Sequence, residues 1–248
     1  MKRRRLRKRK RNNSSRIVSL VFISFICMFI YSSIQIFKWL KENKARENIV
    51  GDIQNTITIY EEKENVEKYS IDFNSLKEKN SDTVAWIKVN GTDIEYPVVK
   101  TTNNDYYVHR LFDLTYNLSG SIFVDCRCSE ALESKNVLIY GHNMYNKSMF
   151  GTLKYYYEKD GWYDDHKYFD LWSGYTHYRY EVFCLIETNV NSTDFYDKIT
   201  FSTDEDFMEW ITKRREEATF DTDVEVIKPL DEIVKNGAFV GFENKDYP

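Results

Sequence analysis

Four cysteines in 248 residues do not make a disulfide framework. Cys27 lies in an uncharged stretch, Cys126 and Cys128 form a C-x-C pair whose members rarely reach disulfide geometry, and Cys184 stands alone. The four histidines, His109, His142, His166 and His177, have no zinc-ligand spacing with these cysteines, so no structural metal and no cofactor are expected. Other absences are positional. No acidic residue occurs in the first 16 residues, no charged residue lies between Ile17 and Phe37, no cysteine follows Cys184, and no arginine follows Arg215. No internal repeat and no low-complexity tract stands out.

What is present divides the chain. The first 16 residues carry ten Lys or Arg, and residues 17–37 are apolar enough, at 1.5 Å rise each, to span roughly 30 Å of hydrocarbon. The run is too long for a cleaved signal peptide and leads into Lys38, Trp39, Lys41 and Lys44. It reads as an uncleaved anchor, with a basic cytoplasmic tail (1–16) and everything after residue 37 outside. A basic block alone also fits a nucleic-acid arm, but one set directly before a span argues for the membrane. Removing those ten basic residues leaves 25 Lys+Arg against 39 Asp+Glu, so the remainder carries a net charge of −14 and disfavours nucleic acid. Residues 38–69 read as a helix that leaves the membrane and becomes a stalk. Residues 70–248 are long enough for one domain with its own core.

Within that domain, 71–80 reads as a short helix. From Thr83 onward the pattern turns to short β runs: VAWIKV and IEYPVV across an Asn90-Gly91 turn, then SGSIFVDC and NVLIYGH. The aromatic-rich stretch after Met149 contains a helix and a loop, and YRYEVFCLIETNV reads as one long strand. Asp204–Ala218 is the clearest helix, with Ser202 or Thr203 as N-cap, acidic residues first, KRR last, and a stripe of Phe207, Ile211 and Trp210. A short strand is expected at 224–227, broken by Pro229, and a further strand or hairpin at 231–242. The fold class is mostly β with helices: a closed β-barrel with peripheral helices behind one N-terminal transmembrane helix.

Chemistry concentrates at His142, which leaves a buried-type strand just after Gly141, a placement suited to proton transfer near neutral pH. A lone strand-end histidine is as compatible with packing. Its surroundings are more specific: Tyr96-Pro97-Val98-Val99, Asn104-Asp105-Tyr106-Tyr107, Ser119-Gly120-Ser121-Ile122-Phe123-Val124-Asp125 and Tyr140-Gly141-His142-Asn143-Met144 occur in this order. With the later helix, they resemble the class B sortases, membrane-tethered cysteine transpeptidases of Gram-positive bacteria, over roughly residues 84–226.

That resemblance implies a sortase-like barrel whose cysteine thiolate attacks a threonine carbonyl in the sorting signal of a secreted protein. A histidine, here His142, gives a proton to the leaving amine, and an arginine hydrogen-bonds the substrate or oxyanion. An amino group of a peptidoglycan precursor or pilin then resolves the acyl-enzyme. Related enzymes take Asn-Pro-x-Thr-type signals. It also implies a T-L-x-T-C strand and a following arginine. VEVIKPLDEIV aligns with the approach to that strand, but KNGAFVGF follows, so no nucleophile stands at the expected position. The expectation is an end altered by a frameshift or truncation, or else a degenerate member inactive in transpeptidation. Cys126 and Cys128 are weak substitute nucleophiles, and Cys184 reads as core. The alternatives are a non-catalytic module that binds sorting peptides or a surface partner, and a chain that folds poorly for want of central strands. The aromatics of 155–172 read as packing rather than a peptide groove, and Asp164, Asp165 and His166 as a solvated loop.

Overall fold

The computed structural model describes residues 13–54, 57–61, 67–129, 132–174, 176–187, 198–218, 220–221 and 239–243. The chain forms two compact units, Met1–Ala45 and Arg46–Pro248.

A single 42-residue helix, α1 (Asn13–Gln54), runs through the first unit and supplies the first residues of the second. Its apolar side chains point outward on all sides: Ile17, Phe22, Phe29 and Phe37 are each more than half exposed. Among the described residues it is the one helix long and apolar enough to cross a membrane. The helix expected after residue 37 is therefore present, but its last turns are not a free stalk. Arg46 and Ile53 are buried, and Ile49 and Val50 pack against the domain core. The second compact unit thus takes in the end of α1 from Arg46 onward.

Next come the hairpin β1 (Ile57–Glu61) and β2 (Glu67–Ile71) and the short helix α2 (Phe73–Lys79). Asp72 caps α2 by accepting from the Asn74 and Ser75 amides, both at 3.1 Å, and Leu76 buries its inner face.

The body of the domain is a seven-stranded sheet in the order β11-β6-β5-β4-β3-β7-β8. Its strands are β3 (Thr83–Val89), β4 (Glu95–Val99), β5 (Ile122–Val124), β6 (Leu138–His142), β7 (Tyr168–Ser173), β8 (Thr176–Glu181) and β11 (Phe239–Glu243). The Asn90-Gly91 turn joins β3 to β4 as expected, with Gly91 at φ +74°. β4 and β5 are parallel and β5 and β6 antiparallel. Alternation of side chains covers both faces of the sheet. Ala85, Ile87, Tyr96, Val98, Ile122 and Val124 enter one core with Phe150, whereas Trp86, Val99, Phe123 and Trp172 enter a second core with Ile53, Leu76 and Tyr107.

Among the described pairings β11 and β8 remain edges, so they make an open sheet and do not close the expected barrel. The long strand expected from Tyr178 is broken in two. β8 ends at Glu181, and β9 (Cys184–Leu185) pairs instead with β10 (Phe220–Asp221). Cys184 is half-buried on that small ladder rather than central in the core. The aromatic stretch forms two short helices, α3 (Tyr155–Glu158) and α4 (Trp162–His166); the latter takes in the residues read as a loop, with His166 stacked on Trp162 at 3.7 Å. The clearest expected helix is α5 (Asp204–Glu216), capped by Thr203 Oγ1, which accepts from the Asp206 amide. Its inner face holds Phe207 and Trp210 with Arg214 in place of Ile211. The strand expected at 224–227 lies outside the described residues.

Candidate functional site

His142 is the last residue of β6 and is 8 % exposed. Gly141 before it is a packing requirement: a Cβ there would lie 2.4 Å from Ile122 Cδ1 and 2.7 Å from the Phe150 ring. The imidazole Nε2 lies 2.8 Å from the Val108 carbonyl oxygen. A carbonyl only accepts, so Nε2 carries a proton in this contact.

Val108 belongs to the loop between β4 and β5, which is folded tightly onto the start of β5. Ser121 N donates to the Tyr107 carbonyl at 3.1 Å and Asn117 N to the His109 carbonyl at 3.0 Å. Gly120, at φ +55°, makes this possible, because a Cβ there would stand 2.3 Å from the Val108 oxygen. The same loop stacks His109 on His142, with ring centroids 5.9 Å apart and planes 11° from parallel. His109 Nδ1 is buried and has no hydrogen-bond partner among the described residues. The sequence reading missed His109. Its position in NDYYVHR beside a quoted motif is the only local signal, and the ring contact depends on pairings far along the chain.

Asp125 ties three of the separated motifs together toward the entry of β6. Its fully buried carboxylate accepts from the Arg127 side chain (2.9 and 2.8 Å) and amide (2.8 Å), from Tyr140 Oη (2.7 Å) and from Asn104 Nδ2 (3.0 Å). Burial works to raise its pKa, but the Arg127 hydrogen bonds, with Tyr140, outweigh burial and hold it at about 2. Tyr140 is pushed well above the usual phenol range by burial and by this carboxylate.

The two substitute nucleophiles are not brought to His142. β5 runs antiparallel to β6 with Val124 opposite Ile139, and Asp125 N donates to the Leu138 carbonyl, so Cys126 lies at the entry of β6 while His142 closes its exit. Four or more residues at about 3.3 Å each separate them, far beyond hydrogen-bond reach. Cys128 is further still. It is buried, with its thiol 3.8 Å from the Asn136 carbonyl oxygen, and burial raises its pKa above the usual thiol value. The strand beside His142 is instead β11, parallel to β6 with Glu243 in register with His142. Its residues are Phe-Val-Gly-Phe-Glu, without cysteine or arginine.

His142 thus stands at the exit of β6 with β11 running parallel beside it, and the chain as a whole is similar to known proteins. The sortase B of Listeria monocytogenes is 34% identical over 201 residues, 80% of either chain. The crystal structure of sortase B from Bacillus anthracis in complex with AAEK1 superposes with a TM-score of 0.68 at 26% identity, covering 84% of this chain and 93% of that one. The Staphylococcus aureus sortase B–substrate complex superposes with a TM-score of 0.62 at 29% identity, covering 71% and 78%. No family model matches the chain. The chain belongs to the class B sortases, a family of cysteine transpeptidases.

Proposed function

We propose that this protein is held in the cell membrane by residues 17–37, with 1–16 in the cytoplasm, and presents a sortase-like domain outside, where it engages the C-terminal sorting signals of secreted proteins. The carrying observation is His142, on the exit of β6 with Nε2 fixed by the Val108 carbonyl and β11 running parallel beside it. The sortase B of Staphylococcus aureus, a relative solved as a substrate complex, supports a sortase substrate for this chain. In the family reaction a thiolate adds to the threonine carbonyl, the amide C–N bond breaks as histidine protonates the departing amine, and an amino group of a peptidoglycan precursor or pilin displaces the sulfur. His142 fits the proton-transfer role.

A second reading is favoured by one observation: β11 puts Glu243, not cysteine, in register with His142, and the described strand has no arginine. On this reading the 248-residue chain recognises sorting peptides or a surface partner without transpeptidation. A carboxylate is a far weaker nucleophile toward an amide than a thiolate, and neither Cys126 nor Cys128 is placed to replace it. Binding of an Asn-Pro-x-Thr-type peptide to the full chain in nanodiscs separates the readings. Binding without cleavage supports the module, binding with cleavage supports the enzyme, and no binding at all contradicts both.

A further inference from the structure

Arg46, in the part of α1 that belongs to the domain, is only 4 % exposed. Burying a guanidinium is costly unless a partner offsets it. Among the described residues its carboxylate neighbour is Glu47, 4.0 Å away and 69 % exposed, a contact worth little. Its half-buried hydrogen bond goes to a neutral group, Ser148 Oγ. The Ser148 hydroxyl in turn donates to Asn146 Oδ1 at 2.6 Å, so accepting from Arg46 is its remaining role. One residue on, the Met149 amide donates to Tyr96 Oη at 3.1 Å.

These two contacts hold a loop that closes back on His142. Phe150 N donates to the His142 carbonyl at 3.0 Å, and Asn143 bridges to Met149. The loop is strained: Lys147 and Met149, neither a glycine, sit at φ +68° and +53°. Such conformations are unfavourable for residues with a Cβ and persist where surrounding contacts over-determine them. Gly151 completes the closure, since a Cβ there would lie 2.3 Å from the Met144 oxygen.

We infer that Arg46 and Ser148 are a positioning pair: the turns of α1 from Arg46 onward fix the 143–151 loop and, through it, the orientation of the His142 imidazole. The inference deepens the proposed role of His142 and rests on it for its functional meaning, but its test does not require activity. The full chain in nanodiscs, labelled with 15N at histidine, gives four imidazoles that His→Gln variants assign. The native protein is expected to show His142 as one Nε2–H tautomer, with a slowly exchanging Phe150 amide. Arg46→Met and Ser148→Ala should each lose the single-tautomer signal and exchange the Phe150 amide about tenfold faster. Arg46→Lys should restore most of the signature, and His166 and His177 should not respond. If Arg46→Met lowers the unfolding midpoint but leaves His142 and Phe150 unchanged, Arg46 merely fastens the helix and the inference fails. If Arg46→Met does not fold, Ser148→Ala decides by the same signals. Loss of peptide binding together with an intact His142 response to Arg46 would count against the proposed function and leave the positioning pair standing.

Discussion

Replacing Asp125 by asparagine should destabilise the domain by about 2 kcal/mol or more at neutral pH. The carboxylate titrates at about 2 in the folded chain against an ordinary value of 3.8. At 1.36 kcal/mol per pKa unit, that difference is worth about 2 kcal/mol of folding free energy when the group is ionised in both states. The sign follows from the depression: the contribution is present above the unfolded pKa and is lost as pH falls through about 2. Asparagine removes the charge and also turns an NH2 donor toward a cradle made of donors, namely Arg127, Asn104 and Tyr140, so the cost can reach about 4 kcal/mol. Arg127, whose side chain is 45 % exposed, can rehydrate and limits the loss. Urea unfolding of the full chain in nanodiscs, followed by tryptophan fluorescence, measures it. The charge-dependent part should be roughly halved by pH 3. A difference below about 0.5 kcal/mol at pH 7, or one unchanged between pH 7 and pH 3, would refute the assignment of Asp125 as an ionised hub.

Two further outcomes follow from the same geometry. Gly120→Ala places a methyl 2.3 Å from the Val108 oxygen at a positive φ, so it should cost about 1–3 kcal/mol and displace the carbonyl that receives His142 Nε2; an unaltered midpoint and an unaltered His142 imidazole signal would contradict this. Maleimide labelling of the folded chain should modify half-buried Cys126 well before Cys128, whose buried thiol resists ionisation, and Cys126→Ala should leave any peptide reaction unchanged; equal labelling rates would contradict the placement of the two thiols.

How much of this was legible depends on the range of the interaction. The Asn90-Gly91 turn, the short helix within 71–80, α5 with its Thr203 cap and the strand ending at His142 are local patterns, set by turn chemistry, capping and runs of β-formers. The ladder partners are not local. Nothing near Cys126 announces that antiparallel register sends it to the entry of β6, and nothing near Val108 announces that its carbonyl receives His142. Arg46 lies in a polar, charged stretch that reads as stalk, yet the following Ile49, Val50 and Ile53 form an apolar face that the domain buries. Arg214 occupies the inner face of α5, where an apolar stripe through Ile211 had been expected, with its guanidinium over the Trp210 ring at 5.6 Å. KNGAFVGF carried β formers enough to suggest a strand; its parallel seat beside β6 came only with the structure.

On the reading that the chain binds sorting peptides without transpeptidation, His142 is the histidine proposed for the reaction, and β11, the described strand beside it, carries no cysteine. The direct measurement is mass spectrometry of an Asn-Pro-x-Thr-type peptide incubated with the full 248-residue chain and an amine acceptor. Intact peptide, with neither the cleaved nor the amine-linked product, is the predicted result. Product formation that His142→Ala abolishes would contradict it.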